Sequence, residues 1–152
     1  MFLPPHSNSL RKGRYSEPWR MYLITSVTVD RQPCFASLLP ARVLIQQFMR
    51  CQNAGLATTQ AFVVMPDHFH WLMQLGEREA LSSVVQRVKS CTARHLRTDG
   101  YGCEWQKGFH DHAVRREEDL KQLARYVVAN PLRAGLVGSI RDYPHWDCVW
   151  LD

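Results

Sequence analysis

The sequence predicts an α+β fold, a ferredoxin-like α/β sandwich built on an antiparallel sheet. Strand-like alternation and helix-like spacing of apolar residues follow one another in the order β-α-β-β-α-β-α, without an internal repeat. The chain has 152 residues, 45% of them hydrophobic and 22% charged, which suits one globular domain. We place a basic N-terminal arm at residues 1–18 and a single domain at residues 19–152.

The first half of the chain supplies four predicted elements. Apolar residues alternate over 21–29, which predicts a strand. Residues 38–53 carry apolar side chains at helical spacing, and Gly55 follows as a stop signal. Residues 58–65 are apolar on both faces, as a central strand would be, and 68–75 alternate again.

The second half continues the pattern. Residues 79–97 and 117–130 are predicted helices, each with an apolar stripe along one side. Residues 105–114 between them are a predicted strand. A short further helix is expected at 132–137. The tail, 141–152, is rich in Trp and Tyr, and we expect it to pack back on the domain.

Charge and cysteine content narrow the function classes. Lys and Arg total 19 against 14 Asp and Glu, a net charge of +5 that permits binding to nucleic acid without showing it. Five cysteines, an odd number without a CxxC pair, argue against a disulfide framework or a cysteine-rich zinc site and fit a reducing cytoplasm. A signal peptide and a membrane span are not expected either, since no apolar run approaches the ~20 residues that a span needs.

The histidine pair His68 and His70 is the sharpest local feature. Side chains in a strand alternate between its faces, so both imidazoles project on one face, while Phe69 and Trp71 project into the core on the other. Two imidazoles at i and i+2 are close enough to share one metal ion. The plainer alternative is a pair of surface or hydrogen-bonded histidines.

Two further groups carry polar chemistry. At ~100° per helical residue, Tyr126 and Asn130 lie beside each other and off the apolar stripe of their helix. A half-exposed tyrosine that covers the core is the alternative for Tyr126. His110, Asp111 and His112 form the second group, which could add to a metal site, orient a neighbour or bind phosphate.

Basic residues fall in two places that could hold DNA phosphates. A solvated tail and a solvated helix face are the alternatives for them. They are Arg11, Lys12 and Arg14 in the arm, and Arg87, Lys89, Arg94 and Arg97 along one helix.

Four blocks of the sequence together resemble a known family. Residues 64–72 (VMPDHFHWL) resemble the HUH motif, His-hydrophobic-His, of single-tyrosine transposases. Residues 105–112 (WQKGFHDH) resemble the block that follows it, and residues 126–137 (YVVANPLRAGLV) its catalytic tyrosine block. Residues 142–146 (DYPHW) resemble the aromatic segment of the REP-associated tyrosine transposase branch.

The resemblance implies an HUH nuclease fold with a C-terminal helix that carries the tyrosine. It implies Mg²⁺ or Mn²⁺ held by His68, His70 and Asn130, with Tyr126 as nucleophile. The implied activity is that of a metal-dependent single-stranded DNA endonuclease and strand transferase, which cleaves at or near repeat-derived hairpins through a covalent 5′-phosphotyrosine. The implied partner is single-stranded or hairpin DNA, not a membrane, and the protein would be a monomer or homodimer of the bacterial cytoplasm, associated with the nucleoid.

Two other functions are alternatives to this one. A histidine-triad nucleotide hydrolase needs a third histidine four residues after the first, where this chain has Leu72. A domesticated, non-catalytic hairpin-DNA-binding protein or repressor would keep the fold and the basic surface. The proton acceptor for Tyr126 stays open among His110, Asp111 and His112.

Overall fold

A five-stranded sheet organises the chain, and all its strand pairs are antiparallel. The computed structural model describes residues 16–115 and 117–149. The sheet order is β4-β1-β3-β2-β5. In chain order the elements are β1 (Met21–Val27), α1 (Leu38–Asn53), β2 (Ala57–Met65), β3 (His68–Leu75), α2 (Leu81–Thr98), β4 (His110–Ala113), α3 (Glu117–Val128), α4 (Asn130–Arg133) and β5 (Trp146–Cys148).

The sheet separates two apolar cores because successive side chains point to opposite faces. On one face, Phe69 and Trp71 of β3 are fully buried against α1 and α2. On the other face, Leu72 of β3 packs with Leu123 and Val127 of α3. The α+β sandwich and the extra C-terminal helix that the sequence predicts are therefore confirmed, as is the central position of β2 between β3 and β5.

The strand predicted at residues 105–114 is wrong over its first half, because β4 covers only His110–Ala113. Trp105 makes an isolated bridge to Thr28. The carbonyls of Gln106 and Gly108 accept hydrogen bonds from the Lys89 ammonium group, at 2.9 and 2.6 Å. Gly108 also has a φ of +72°, which a regular strand does not allow. This stretch therefore packs against the middle of α2, at Lys89.

The C-terminal segment differs from expectation in detail. Up to residue 149, the last one described, the tail packs on the domain as predicted, but it does so by adding β5 to the edge of β2, where Val63 faces Trp146. The helix predicted over 117–130 ends at Val128, and the short helix begins at Asn130 rather than at 132.

The last residues of the predicted arm are fixed to the domain. Ser16 Oγ accepts a 2.9 Å hydrogen bond from the backbone N–H of Leu81 at the start of α2. The backbone N–H of Glu17 donates to the hydroxyl of Tyr22. The basic residues Arg11, Lys12 and Arg14 lie outside the described residues. Within the described ranges, no helix is long and apolar enough to cross a membrane.

Candidate functional site

His68 and His70 lie on the sheet face that α3 covers. Their ring centroids are 5.0 Å apart, with the planes nearly perpendicular. The antiparallel register places His70 opposite Thr25 of β1 and Val63 of β2, in the middle of the sheet. The alternation that buries Phe69 and Trp71 therefore also turns both imidazoles to the other side.

Each imidazole is oriented through its Nδ1 atom. His68 Nδ1 lies 2.7 Å from Asp67 Oδ1, and His70 Nδ1 lies 2.7 Å from Thr25 Oγ1. A histidine that ligates a metal commonly donates its other ring N–H to such an oxygen, which fixes the tautomer. With Nδ1 engaged in this way, Nε2 is the atom of each ring that could bind a metal.

The surroundings keep both rings neutral. Burial lowers the pKa of His68, although the hydrogen bond to Asp67 partly opposes this effect. Burial, then the neighbouring His68, then Arg133 lower the pKa of His70 to about 3. Metal ions bind the neutral form of imidazole, so no proton has to be displaced before a metal binds.

The loop that carries Asp30 and Arg31 has strained backbone and contacts the Asp67 carboxylate. Arg31 Nη1 lies 3.2 Å from Asp67 Oδ2, and Arg31 and the preceding Asp30 have φ values of 51° and 54°. Left-handed backbone at two consecutive residues other than glycine costs free energy, of order 1–3 kcal/mol each. Burial raises the pKa of Asp67, but the contacts of its carboxyl group with His68 and Arg31 outweigh this effect, so that its pKa lies below the usual value.

Tyr126 approaches the pair from α3. The apolar stripe Leu120, Leu123 and Val127 is buried on the sheet, whereas Tyr126 is half-buried beside that stripe. Its ring lies edge-on to His70, with the centroids 6.3 Å apart. The Arg133 guanidinium stacks on the same ring, 3.9 Å from its centroid.

Asn130 lies one turn beyond Tyr126 and is half-buried at the start of α4. Ala129 between the two helices keeps near-helical angles, with φ −82° and ψ −2°. Residues 126 and 130 therefore stay neighbours across the junction.

The third predicted group divides between the two faces of the sheet. His110 and His112 pair with Thr25 and Leu23, so they lie on the same face as His70. His110 and His70 flank Thr25 on either side, about 10 Å apart at two strand spacings. Asp111 pairs with Ile24 and lies on the opposite face, which removes it from the proton acceptors considered for Tyr126.

The basic residues of α2 lie behind the sheet, on the face away from Tyr126. Lys89 is 5% exposed and its ammonium group is held by two carbonyls, so the fold does not present it to phosphate. Arg87 is exposed and paired with Glu79 at 2.8 Å. Arg94 is exposed, and exposed Arg97 borders a cleft of about 750 Å³ together with Tyr101 and Trp105.

The side chains that could hold a small divalent ion at this site are mostly uncharged. Within the described residues, no group of three or more His, Cys, Asp and Glu side chains could hold a metal ion. Two neutral imidazoles with oriented Nδ1 atoms fit a divalent metal, provided that a neutral oxygen donor such as the Asn130 amide, or a bound oxyanion, completes the set.

Comparison with known proteins agrees with this architecture. The family described as "Transposase IS200 like" matches residues 20–130, which include both histidines, the tyrosine and Asn130. The chain belongs to the IS200-like transposase family. The resemblance read from the four sequence blocks is thereby confirmed.

Relatives of this IS200-like transposase carry related names. A Haemophilus influenzae protein named "Putative REP-associated tyrosine transposase" is 26% identical over 137 residues, covering 82% of this chain and 77% of its own length. The REP-associated tyrosine transposase of Escherichia coli K12 is 29% identical over 84 residues, 55% of this chain and 50% of its own.

Solved structures show the same fold. The structure of a REP-associated tyrosine transposase bound to a REP hairpin superposes with a TM-score of 0.73 at 23% identity, covering 88% of this chain and 79% of the other. A transposase-like protein of Deinococcus radiodurans gives a TM-score of 0.52 at 21% identity, covering 77% and 95%.

Sequence reasoning missed four contacts of this candidate site, made by Thr25, Arg31, Asp67 and Arg133. Asp67 adjoins His68 in the sequence and could have been found from the motif. Thr25 reaches His70 only through the register of β1 on β3. Arg133 stands inside the tyrosine block, but the sequence gives it no role.

Proposed function

We propose that this IS200-like transposase is a metal-dependent single-stranded DNA endonuclease and strand transferase, which acts at or near repeat-derived hairpins through a covalent 5′-phosphotyrosine. The observation that carries the proposal is the convergence of Tyr126 on His70, beside a second imidazole on the same face. A tyrosine and two neutral histidines from different layers of the fold meet at one place. Packing of the core alone does not require this arrangement.

The chemistry follows from a phenol oxygen as nucleophile. The Tyr126 hydroxyl oxygen attacks phosphorus, a bond from phosphorus to that oxygen forms, and the bond to the 3′ oxygen of the preceding nucleotide breaks. The phenol proton is lost and the departing 3′ oxygen takes one up. Because the phosphodiester energy is kept in the phosphotyrosine, a 3′ hydroxyl can later reverse the step and rejoin DNA.

His68 and His70 would hold Mg²⁺ or Mn²⁺ through their Nε2 atoms, with the Asn130 amide as third protein donor. When bound, such an ion supplies Lewis-acid polarisation of the scissile phosphate. Asp67 and Thr25 keep the two rings turned toward the site, because the Asp67 carboxylate and the Thr25 hydroxyl oxygen accept from Nδ1–H when Nε2 binds the metal. The strained Arg31 loop holds the Asp67 carboxylate in place.

For the DNA we propose contacts to the phosphate backbone by Arg94, Arg97 and Arg87 of α2, and by the arm residues Arg11, Lys12 and Arg14. Lys89 is left out because its ammonium group is buried. Since α2 lies behind the sheet, the DNA held there is distant from the phosphate that reacts. A hairpin with a single-stranded flank can span both faces.

The test is incubation with a labelled single-stranded hairpin oligonucleotide that carries a flank, with Mn²⁺ or Mg²⁺. We expect a covalent protein–DNA band that survives denaturing electrophoresis, and a mass-spectrometric map of the adduct to Tyr126. A blunt duplex of matched length is the control. Hairpin binding without any adduct would favour the non-catalytic DNA-binding alternative, and an adduct on another residue would contradict the site.

A further inference from the structure

We infer that Arg133 is a positioning residue, which fixes the ring of Tyr126 for attack; the inference rests on the proposed function. Its guanidinium carbon lies 3.9 Å from the ring centroid, and its Nη2 donates a 2.7 Å hydrogen bond to the carbonyl of Tyr126. One side chain thus contacts both the ring and the backbone of the same residue.

The two contacts do different things. The carbonyl bond occupies one of the last carbonyls of α3, which lack partners within the helix. The stack covers one face of the ring, and the attraction between a cation and an aromatic face holds the ring there. His70 lies edge-on to the same ring, so Tyr126 is confined from two directions.

The backbone that follows α3 places the Arg133 side chain beside Tyr126. Helix α4 ends at Arg133, and Gly135 two residues later has a φ of +75°. There Gly135 N–H bonds to Leu132 O, and Leu136 N–H bonds to Pro131 O. This pair of bonds is the Schellman arrangement that closes a helix. Arg133 therefore stands on a closed single turn that starts immediately after the tyrosine helix.

Orientation matters for the attack because misplacing a reacting group by about 1 Å can cost of order 100-fold in rate. Without the stack, the Tyr126 ring can turn about its own side-chain bonds while its helix stays in place. A guanidinium beside the ring also sets a positive charge near the phosphate that joins the tyrosine. Both effects act on the chemical step more than on the binding of DNA.

The first arm of the test uses the free protein. A proton above an aromatic face is shifted upfield in the NMR spectrum, so the Arg133 Hδ resonances should lie upfield of their usual position. The shift should persist in Tyr126→Phe, which keeps the ring, and vanish in Tyr126→Leu. Arg133 resonances at ordinary positions in the wild type would overturn the inference whatever the activity.

The second arm measures single-turnover adduct formation. Arg133→Gln keeps an N–H donor for the carbonyl but loses the charged plane, and we expect at least a tenfold lower rate at saturating hairpin DNA, with less than a threefold change in the half-saturating concentration. Arg133→Lys should recover part of the rate. Arg125→Gln, which removes the same charge from the exposed residue before Tyr126, is the matched control and should react normally.

The outcomes separate the two proposals. An unchanged rate in Arg133→Gln overturns the positioning role, as does a loss equal to that of Arg125→Gln. A wild type that forms no adduct at all contradicts the proposed function, and the NMR arm then still decides whether Arg133 fixes the ring.

Discussion

The ring of Tyr126 meets the imidazole of His70 edge-on, with their centroids 6.3 Å apart. The tyrosine comes from α3 and the histidine from the middle of the sheet. Buried contacts of Leu123 and Val127 with Leu72 of the sheet hold the two elements together. The distance between the proposed nucleophile and the proposed metal ligand is therefore set by a hydrophobic core, which is rigid on the scale of a side chain.

Tyr126→Phe should abolish cleavage and the covalent adduct while it leaves the fold and hairpin binding intact. The substitution removes one oxygen and leaves no cavity, so the cost in stability should stay below about 1.5 kcal/mol, whereas the loss of a nucleophile lowers a rate by more than about 10³-fold. Denaturing gels, thermal melts and hairpin titrations measure the three quantities. Tyr101→Phe, at an exposed tyrosine, is the control. Cleavage that survives in Tyr126→Phe would indicate attack by water.

Asp67→Asn should weaken metal binding without unfolding the protein. The amide oxygen can still accept from His68 Nδ1, but the negative charge that supports the imidazole is gone, and such changes lower metal affinity by about 10- to 100-fold. Calorimetric titration with Mn²⁺ measures the loss. Asp142→Asn, at an exposed position, should bind as the wild type does. Equal affinities in all three proteins would show that the Asp67 charge does not support metal binding through His68.

Stability of the metal-free protein should fall as the pH drops below 6.5. The unfolded chain protonates His70 near pH 6.5, whereas the folded chain, with the His70 pKa lowered to about 3, does not. Protons therefore favour the unfolded state between these values, and His70 alone should remove about 2 kcal/mol between pH 7 and pH 5.

Urea denaturation at the two pH values, in the presence of a chelator, measures this effect. His70→Gln removes the titrating group, so its loss of stability over the same interval should be smaller by that amount. His95→Gln, at an exposed position, should keep the wild-type dependence. A His70→Gln protein with the full pH dependence would show that His70 titrates normally in the folded state.

Lys89→Met should destabilise the fold and leave DNA binding unchanged. The ammonium group satisfies the carbonyls of Gln106 and Gly108, and each buried polar group left unsatisfied costs about 1–3 kcal/mol. Urea denaturation measures the loss, with the exposed Lys107→Met as control.

Hairpin titrations at several salt concentrations separate Lys89 from the exposed arginines. Arg97→Gln should reduce the slope of log affinity against log salt by about 0.7–0.9, as expected for one lost phosphate contact. The slope of Lys89→Met should equal that of the wild type. A reduced slope in Lys89→Met would mean that its side chain leaves the interior when DNA binds.

Much of the fold could be predicted from local pattern. Alternation located β1 and β3, a run that is apolar on both faces located β2, and helical spacing located α1, α2 and α3 to within a few residues. β5 escaped because a three-residue strand has little pattern of its own and exists through pairing with the distant β2. The first half of the predicted fourth strand is wrong because the Lys89 ammonium group donates hydrogen bonds to the carbonyls of Gln106 and Gly108. In the sequence, Lys89 looks like one more surface cation.

The candidate site likewise contains residues that local pattern predicts and residues that only the folded structure brings together. The placement of His68 and His70 on one face follows from alternation within one strand, and the position of Tyr126 follows from the helical stripe. Thr25 and Arg31 could not be predicted, because their contacts depend on strand register and on a strained loop. The opposite orientations of Asp111 and His110 likewise depend on which residue of β1 each one faces.

The alternation of side chains along β3 links the correct register of the sheet to the placement of the histidine pair. If β3 slipped by one residue against its neighbours, its two sets of side chains would exchange faces. His68 and His70 would then enter the core between the sheet and α1, and Phe69 and Trp71 would take the positions of the proposed metal ligands. A misregistered sheet would thus lose its core together with the histidine pair of the candidate site, so a chain that folds stably already carries its imidazoles on the side that Tyr126 approaches.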